Sequence, residues 1–233
     1  MREIFRGNDY RVVFSEPNER RDKFVITFMA WSKETGLDRV PAASKFIEYL
    51  GYGFVGIVPR TNCWYQLDEI EQVLAVVREA IPGGYEVVAY SSSMGAYASL
   101  NFAEALNVTR GLVVSPQYSL DPKVIDFEKR WYQEARQIEF KRDYIKSRDS
   151  DLNFSILLDG RLKVDIRHAE LIAQRFHKAK FYSIEGAEHD PFGYLSRKNL
   201  LKPLIAEYLS KGTIMRHEQI PMVEMDMRMG ESS

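Results

Sequence analysis

Tyr85-Glu-Val-Val-Ala-Tyr-Ser-Ser-Ser-Met-Gly-Ala-Tyr-Ala-Ser-Leu100 is the stretch on which the fold turns. Residues 85–90 have the β-branched and aromatic content of a short buried strand. Residues 96–106 are rich in Ala, Leu and Glu, hold no Pro or Gly, and predict a helix. The join, Ser91-Ser-Ser-Met-Gly95, is built of small residues around a central Ser93. A strand that passes at once into a helix strains the backbone at the bend and lifts that side chain above the sheet edge. Small neighbours are needed there because strand and helix nearly touch. The amides that follow open a helix N-terminus, which favours negative charge. A plain βα turn whose serines cap a helix over 95–106 accounts for the same residues.

The flanking chain repeats the alternation. Upstream, strands are predicted over 10–14, 23–30 and 53–58, with helices over 41–50 and from Asp68 to Ile81. Downstream, strands over 111–115, 153–158 and 180–184 alternate with helices over 167–178 and 200–211, the last ending at Gly212. Such an order calls for an α/β fold with a doubly wound, mostly parallel sheet, and 1–212 reads as one domain. The segment 116–152 is longer than a connection needs, so it reads as a helical insertion, either a surface helix or a cap over the bend. Within it Phe127, Trp131, Ala135 and Ile138 fall at i, i+4, i+8 and i+11, one apolar stripe on a charged helix. The Met-rich tail, 213–233, has no clear period. It reads either as a disordered end or as an arm for a homo-oligomer.

At 233 residues and a net charge of −1, the chain has room for one core and no basic run for nucleic acid. No apolar run reaches the ~18–20 residues of a membrane span. The first residues lack the apolar core of a signal peptide, so a cytoplasmic location is expected. Cys63 is the only cysteine, which removes an intramolecular disulfide and a cysteine-rich metal site.

A serine hydroxyl needs a base before it can attack. Of four histidines, His189 stands in Gly186-Ala-Glu-His189, directly after the last predicted strand, where doubly wound folds place their sites. Strand–Ser93–helix, the later histidine loop and the order of elements together resemble the α/β-hydrolase family. Ser91 stands where that family's G-x-S-x-G bend has its first glycine. The resemblance implies a Ser-acid-His order, with a cap inserted after the strand that follows the bend. It implies an acid near the end of the 153–158 strand, a few residues into the following loop, where no acid stands. Asp159 closes the strand, and a carboxylate there is costly without a partner. Asp165 reads equally as a helix N-cap, and Asp121 is more distant. Asp159 is the expected acid, with Ser93 and His189. The same resemblance makes the amides of Met94 and Trp31 the oxyanion donors. Trp64 and Tyr65 read as pocket lining or as half-buried turn aromatics.

The expected activity is hydrolysis of a small-molecule carboxylic ester or thioester, with no cofactor and no metal. Two alternatives stand beside it: acyl transfer or deacylation on a carbohydrate or lipid, and a non-catalytic accessory protein on the same fold.

Overall fold

The computed structural model describes residues 1–18, 21–214, 220 and 222–227. Its centre is a nine-stranded sheet in the order β1-β2-β4-β3-β5-β6-β7-β8-β9. The strands are β1 (Arg2–Arg6), β2 (Tyr10–Ser15), β3 (Lys23–Phe28), β4 (Gly53–Pro59), β5 (Glu86–Ser92), β6 (Arg110–Val114), β7 (Asn153–Leu158), β8 (Lys180–Ser183) and β9 (Val223–Met225). The six from β4 to β8 run parallel, while β1, β2 and β9 join antiparallel at the edges. The helices are α1 (Ser44–Tyr49), α2 (Ile70–Ala80), α3 (Met94–Asn101), α4 (Tyr132–Ala135), α5 (Lys163–Ala173), α6 (Pro191–Arg197) and α7 (Leu201–Lys211). Among the described residues no helix is long and apolar enough to cross a membrane.

Period-two alternation gives each central strand two apolar faces. Phe24, Ile26 and Phe28 of β3, with Val87 and Ala89 of β5, pack against α2, α3 and α5. Val25, Val88 and Tyr90 face the other way, against α1, α6 and α7. Covered strands of this kind bury nearly everything, as all seven residues of β4 do. The helix α3 is buried on every residue, the expected condition of a helix wedged between the sheet and a further layer.

Several local expectations change in the structure. The helix after the bend ends at Asn101, well short of residue 106, and irregular turns follow. Asn101 is put to other use: its Oδ1 accepts from the amides of Tyr144 and Ile145, at 2.6 and 3.2 Å, tying the insertion to the body. The insertion is mostly irregular. Phe127, Trp131, Ala135 and Ile138 do pack on the main core, but only Tyr132–Ala135 is α-helical. Tertiary burial claims those apolar side chains without a continuous helix. Trp64 and Tyr65 are fully buried, not half-buried.

In the tail, Val223–Met225 pairs with β8 of its own sheet, and Ile214, Ile220 and Met222 join the core on the α7 side. Met215 and Met229 lie outside the described residues.

Candidate active site

Ser93 occupies the bend with φ 49° and ψ −122°, a region that costs a non-glycine residue about 1–3 kcal/mol. It stands at the N-cap of α3, but its side chain makes no capping bond. The backbone is held from both sides instead: the Ser93 amide donates to Val114 O at 2.9 Å and its carbonyl accepts from Tyr97 N at 3.0 Å. The departure from glycine at Ser91 has a structural reason. Pairing of β3 with β5 stops at Ile26 and Ala89, leaving the Phe28 amide without a backbone partner on the β5 side. Ser91 Oγ accepts it at 3.0 Å and is itself supported by Ser99 Oγ at 2.9 Å.

Gly95 cannot carry a side chain. A Cβ there would lie 2.2 Å from Phe28 O and 3.1 Å from Met29 O. The first turn of α3 therefore rests on the end of β3, and the segment from Met29 to Trp31 leaves the sheet beside the bend. Gly95→Ala is expected to destabilise the fold by at least the ~1–3 kcal/mol of core overpacking. Thermal unfolding reads this as a midpoint lower by several degrees, at roughly 2–4 °C per kcal/mol for this size.

His189 lies in the loop between β8 and α6, shaped by the positive φ of Gly186 and Glu188. Its Nε2 is 3.0 Å from Ser93 Oγ. Its Nδ1 is 2.7 Å from Oδ2 of Asp165. Asp159 does not meet the ring, contrary to the expectation from sequence. Asp159 accepts the amides of Arg161 and Glu188, each at 2.9 Å, and so laces the β7–α5 loop to the histidine loop. Asp165 is not an N-cap either. The helix α5 begins at Lys163, four residues before the predicted start, with Leu162 at its N-cap position. Asp165 is thus inside the first turn, its side chain free to turn towards the sheet end. Asp121 is engaged elsewhere, accepting from the amide of Lys123.

Asp165 is 2% exposed. Burial alone would raise its pKa, but the bond to His189 and the charge of Arg130 outweigh it and hold the carboxyl below its ordinary value. With Asp165 ionised, the Nδ1 proton of His189 faces Oδ2, and Nε2 is left to accept the Ser93 hydroxyl proton.

The insertion reaches this chain of contacts directly. Arg130 Nη2 is 2.7 Å from Asp165 Oδ1, and both Nε and Nη2 of Arg130 bond Glu128, the closest approach being 2.5 Å. Arg130 Nη1 lies 3.0 Å from His189 Nδ1. Two nitrogens that both carry hydrogen cannot share a hydrogen bond, so the guanidinium acts through the carboxylates. Glu128 Oε2 also meets Nε2 of the fully buried His168 at 3.2 Å. His168 Nδ1 accepts the amide of Tyr118 at 3.1 Å, so its proton sits on Nε2. Burial lowers the pKa of His168, which fits a neutral donor. Burial would raise Glu128, but His168 and Arg130 together bring it down to about 2.

Next along the chain, Trp131 sets its ring 5.0 Å from that of His189 and 6.0 Å from that of Trp64. Trp31 Nε1 donates to Glu134 of α4 at 3.0 Å. Trp131 therefore packs on the ring of His189, Trp31 ties the segment after β3 to α4, and Ser93 itself is 8% exposed.

His168, Glu128 and Asp165 all have folded pKa values below their ordinary ones. For each, the unfolded chain binds the proton first, so the stabilisation is full above the ordinary pKa and is lost as pH falls through the folded one. Stability is expected to decline below the ordinary histidine value of 6.5, and further between 4.5 and about 2 through Glu128. Urea unfolding midpoints measured across that range check this, and Glu128→Gln should flatten the lower part of the decline.

No protein-family model matches the chain, and no curated protein matches its sequence. Solved structures do. The capsule O-acetyltransferase of Neisseria meningitidis serogroup A superposes with a TM-score of 0.62 at 19% identity, covering 87% of this chain and 93% of that one. The thermophilic esterase Est2 of Thermogutta terrifontis gives 0.60 at 15% identity, covering 90% of each chain. Alpha/beta hydrolase domain-containing protein 10 from mouse gives 0.61 at 12%, covering 91% of this chain and 99% of that one. This chain has the α/β-hydrolase fold.

Two residues near Ser93 and His189 carry no local signal in the sequence: Arg130, one charge among many in a charged insertion, and Gln117, whose Nε2 lies 3.4 Å from Ser93 Oγ. Each meets its partners only across the sheet end.

Proposed function

We propose that this chain is a serine hydrolase of the esterase or thioesterase kind. Ser93 is its nucleophile, His189 its general base and Asp165 the carboxylate that orients the imidazole. The carrying observation is the continuous line from Ser93 Oγ to His189 Nε2 at 3.0 Å and from His189 Nδ1 to Asp165 Oδ2 at 2.7 Å. Ser93 gives its proton to Nε2 as Oγ attacks the acyl carbonyl. Asp165 stabilises the imidazolium that results. The oxyanion forms against the amide of Met94, the first residue of α3, where N–H groups have no intrahelical partner. The amide of Trp31, beyond β3, is the proposed second donor. His189 returns the proton to the leaving group, and water, activated by the same ring, releases the acyl group.

Transfer of the acyl group to an alcohol of a carbohydrate or lipid is a second reading, favoured by the likeness to a capsule O-acetyltransferase. The Asp165 carboxylate at His189 Nδ1 speaks against a non-catalytic accessory protein.

An active-site phosphonate tests the nucleophile: covalent labelling is expected on the peptide that carries Ser93. Product analysis with an acyl donor, with and without an alcohol acceptor, then separates hydrolysis from transfer. Folded protein that takes up no phosphonate overturns the assignment.

A further inference from the structure

Gln117 follows β6 and is fully buried, with no exposed surface at all. A primary amide in that position must place one oxygen and two N–H groups, or lose about 1–3 kcal/mol for each group left bare. The indole N–H of Trp64 decides which way the amide faces. An indole nitrogen can only donate, so the Gln117 atom 3.3 Å from Trp64 Nε1 is the oxygen. The NH2 group is then turned inward, 3.2 Å from Ser115 O and 3.4 Å from Ser93 Oγ. One of its hydrogens suffices to anchor the loop on Ser115. The other is aimed at the reacting oxygen.

We propose that Gln117 is a catalytic residue, a side-chain donor to Ser93 Oγ supplementing the backbone amides that face the carbonyl oxygen. The proposal rests on the serine-nucleophile reading and deepens it. An amide nitrogen cannot accept a proton, so Gln117 leaves the Ser93 hydroxyl hydrogen only His189 Nε2 to turn to. During attack the O–H bond breaks with its proton passing to Nε2, the Oγ–carbon bond forms, and the carbonyl π pair moves onto the carbonyl oxygen. During release the carbon–Oγ bond breaks, its electron pair returns to Oγ, and the proton comes back from Nε2. Gln117 exchanges no proton in either step. Its hydrogen bond is long when Oγ is a neutral hydroxyl and strengthens wherever proton transfer to Nε2 runs ahead of Oγ–carbon bonding and leaves negative charge on Oγ, the differential binding that lowers a barrier.

The test is the second-order rate of phosphonate labelling at Ser93, measured against pH for wild type, Gln117→Met and Gln117→Glu, with Ser93→Ala as the unlabelled control. Gln117→Met keeps the length of the side chain but has no donor. It should label about tenfold or more slowly, less than the ~10²–10³ of an oxyanion-hole donor because the resting contact is long. Gln117→Glu can donate only while protonated, so its shortfall against wild type should widen as pH rises, and an unfolding midpoint that tracks wild type over the same pH range separates this from a lost anchor on Ser115. Where Gln117→Met fails to fold, the Gln117→Glu profile decides alone. Variant rates within about twofold of wild type at every pH overturn the role of Gln117, being too small a change for a lost charge-assisted bond. Wild type that folds but never labels overturns the serine-nucleophile reading, and this proposal falls with it.

Discussion

Replacing Asp165 by Asn should lower acyl-ester turnover by about 10⁴-fold, the loss that follows when a triad aspartate becomes an amide and the imidazole takes the wrong tautomer. The amide is nearly isosteric. It can still meet His189, but it can offer an N–H to Nδ1, which puts the ring proton on Nε2 and blocks acceptance from Ser93. It also removes the charge that pairs with Arg130 at 2.7 Å. Asp159→Asn is the matched comparison, since Asp159 ends the preceding strand and is equally buried. Asp159 holds two backbone amides and no ring. Its amide variant keeps an oxygen for one of them, so the expected loss is about tenfold or less, the scale of one hydrogen bond to a charged acceptor. Turnover of purified variants, with circular dichroism as the check on folding, decides the assignment. A larger loss at Asp159 than at Asp165 would return the role to Asp159.

The second large effect is at Ser93. Ser93→Ala removes the proposed nucleophile and is expected to cost about 10⁵–10⁶ in kcat, with any residual rate over water coming from binding and the oxyanion amides. Phosphonate labelling should vanish altogether. The backbone strain at φ 49° stays, because alanine meets the same constraint there as serine. The thermal midpoint should move little, which separates a chemical loss from an unfolded variant. Ester turnover retained in Ser93→Ala would end the assignment of a serine nucleophile.

The contrast between Asp165 and Gly95 explains what could be read early and what could not. Gly95 is legible although the strand it touches is distant, because the need for a small residue comes with the local pattern: a helix that starts directly after a strained bend must bring its first turn against the neighbouring strand, here the end of β3. Asp165 is not legible, because its partner is 24 residues away in sequence and joins it only when two loops end at one height above the sheet. The resemblance points a few residues into the loop after the 153–158 strand, where no acid stands, and makes Asp159 the expected acid. The helix start at Lys163 instead brings Asp165 inward, to the first turn.

The amino-acid sequence by itself determined the alternation of strands and helices, the strand–Ser93–helix bend and the histidine loop after the last parallel strand. Each depends on periodicity and backbone preference within a dozen residues. Tertiary structure alone decided that Asp165 meets His189, that Arg130 and Trp131 of the insertion meet Asp165 and the ring of His189, and that Gln117 faces Ser93. Those contacts join the ends of different strands with an irregular insertion, and side-chain reach across such a gap leaves no periodic trace in the chain.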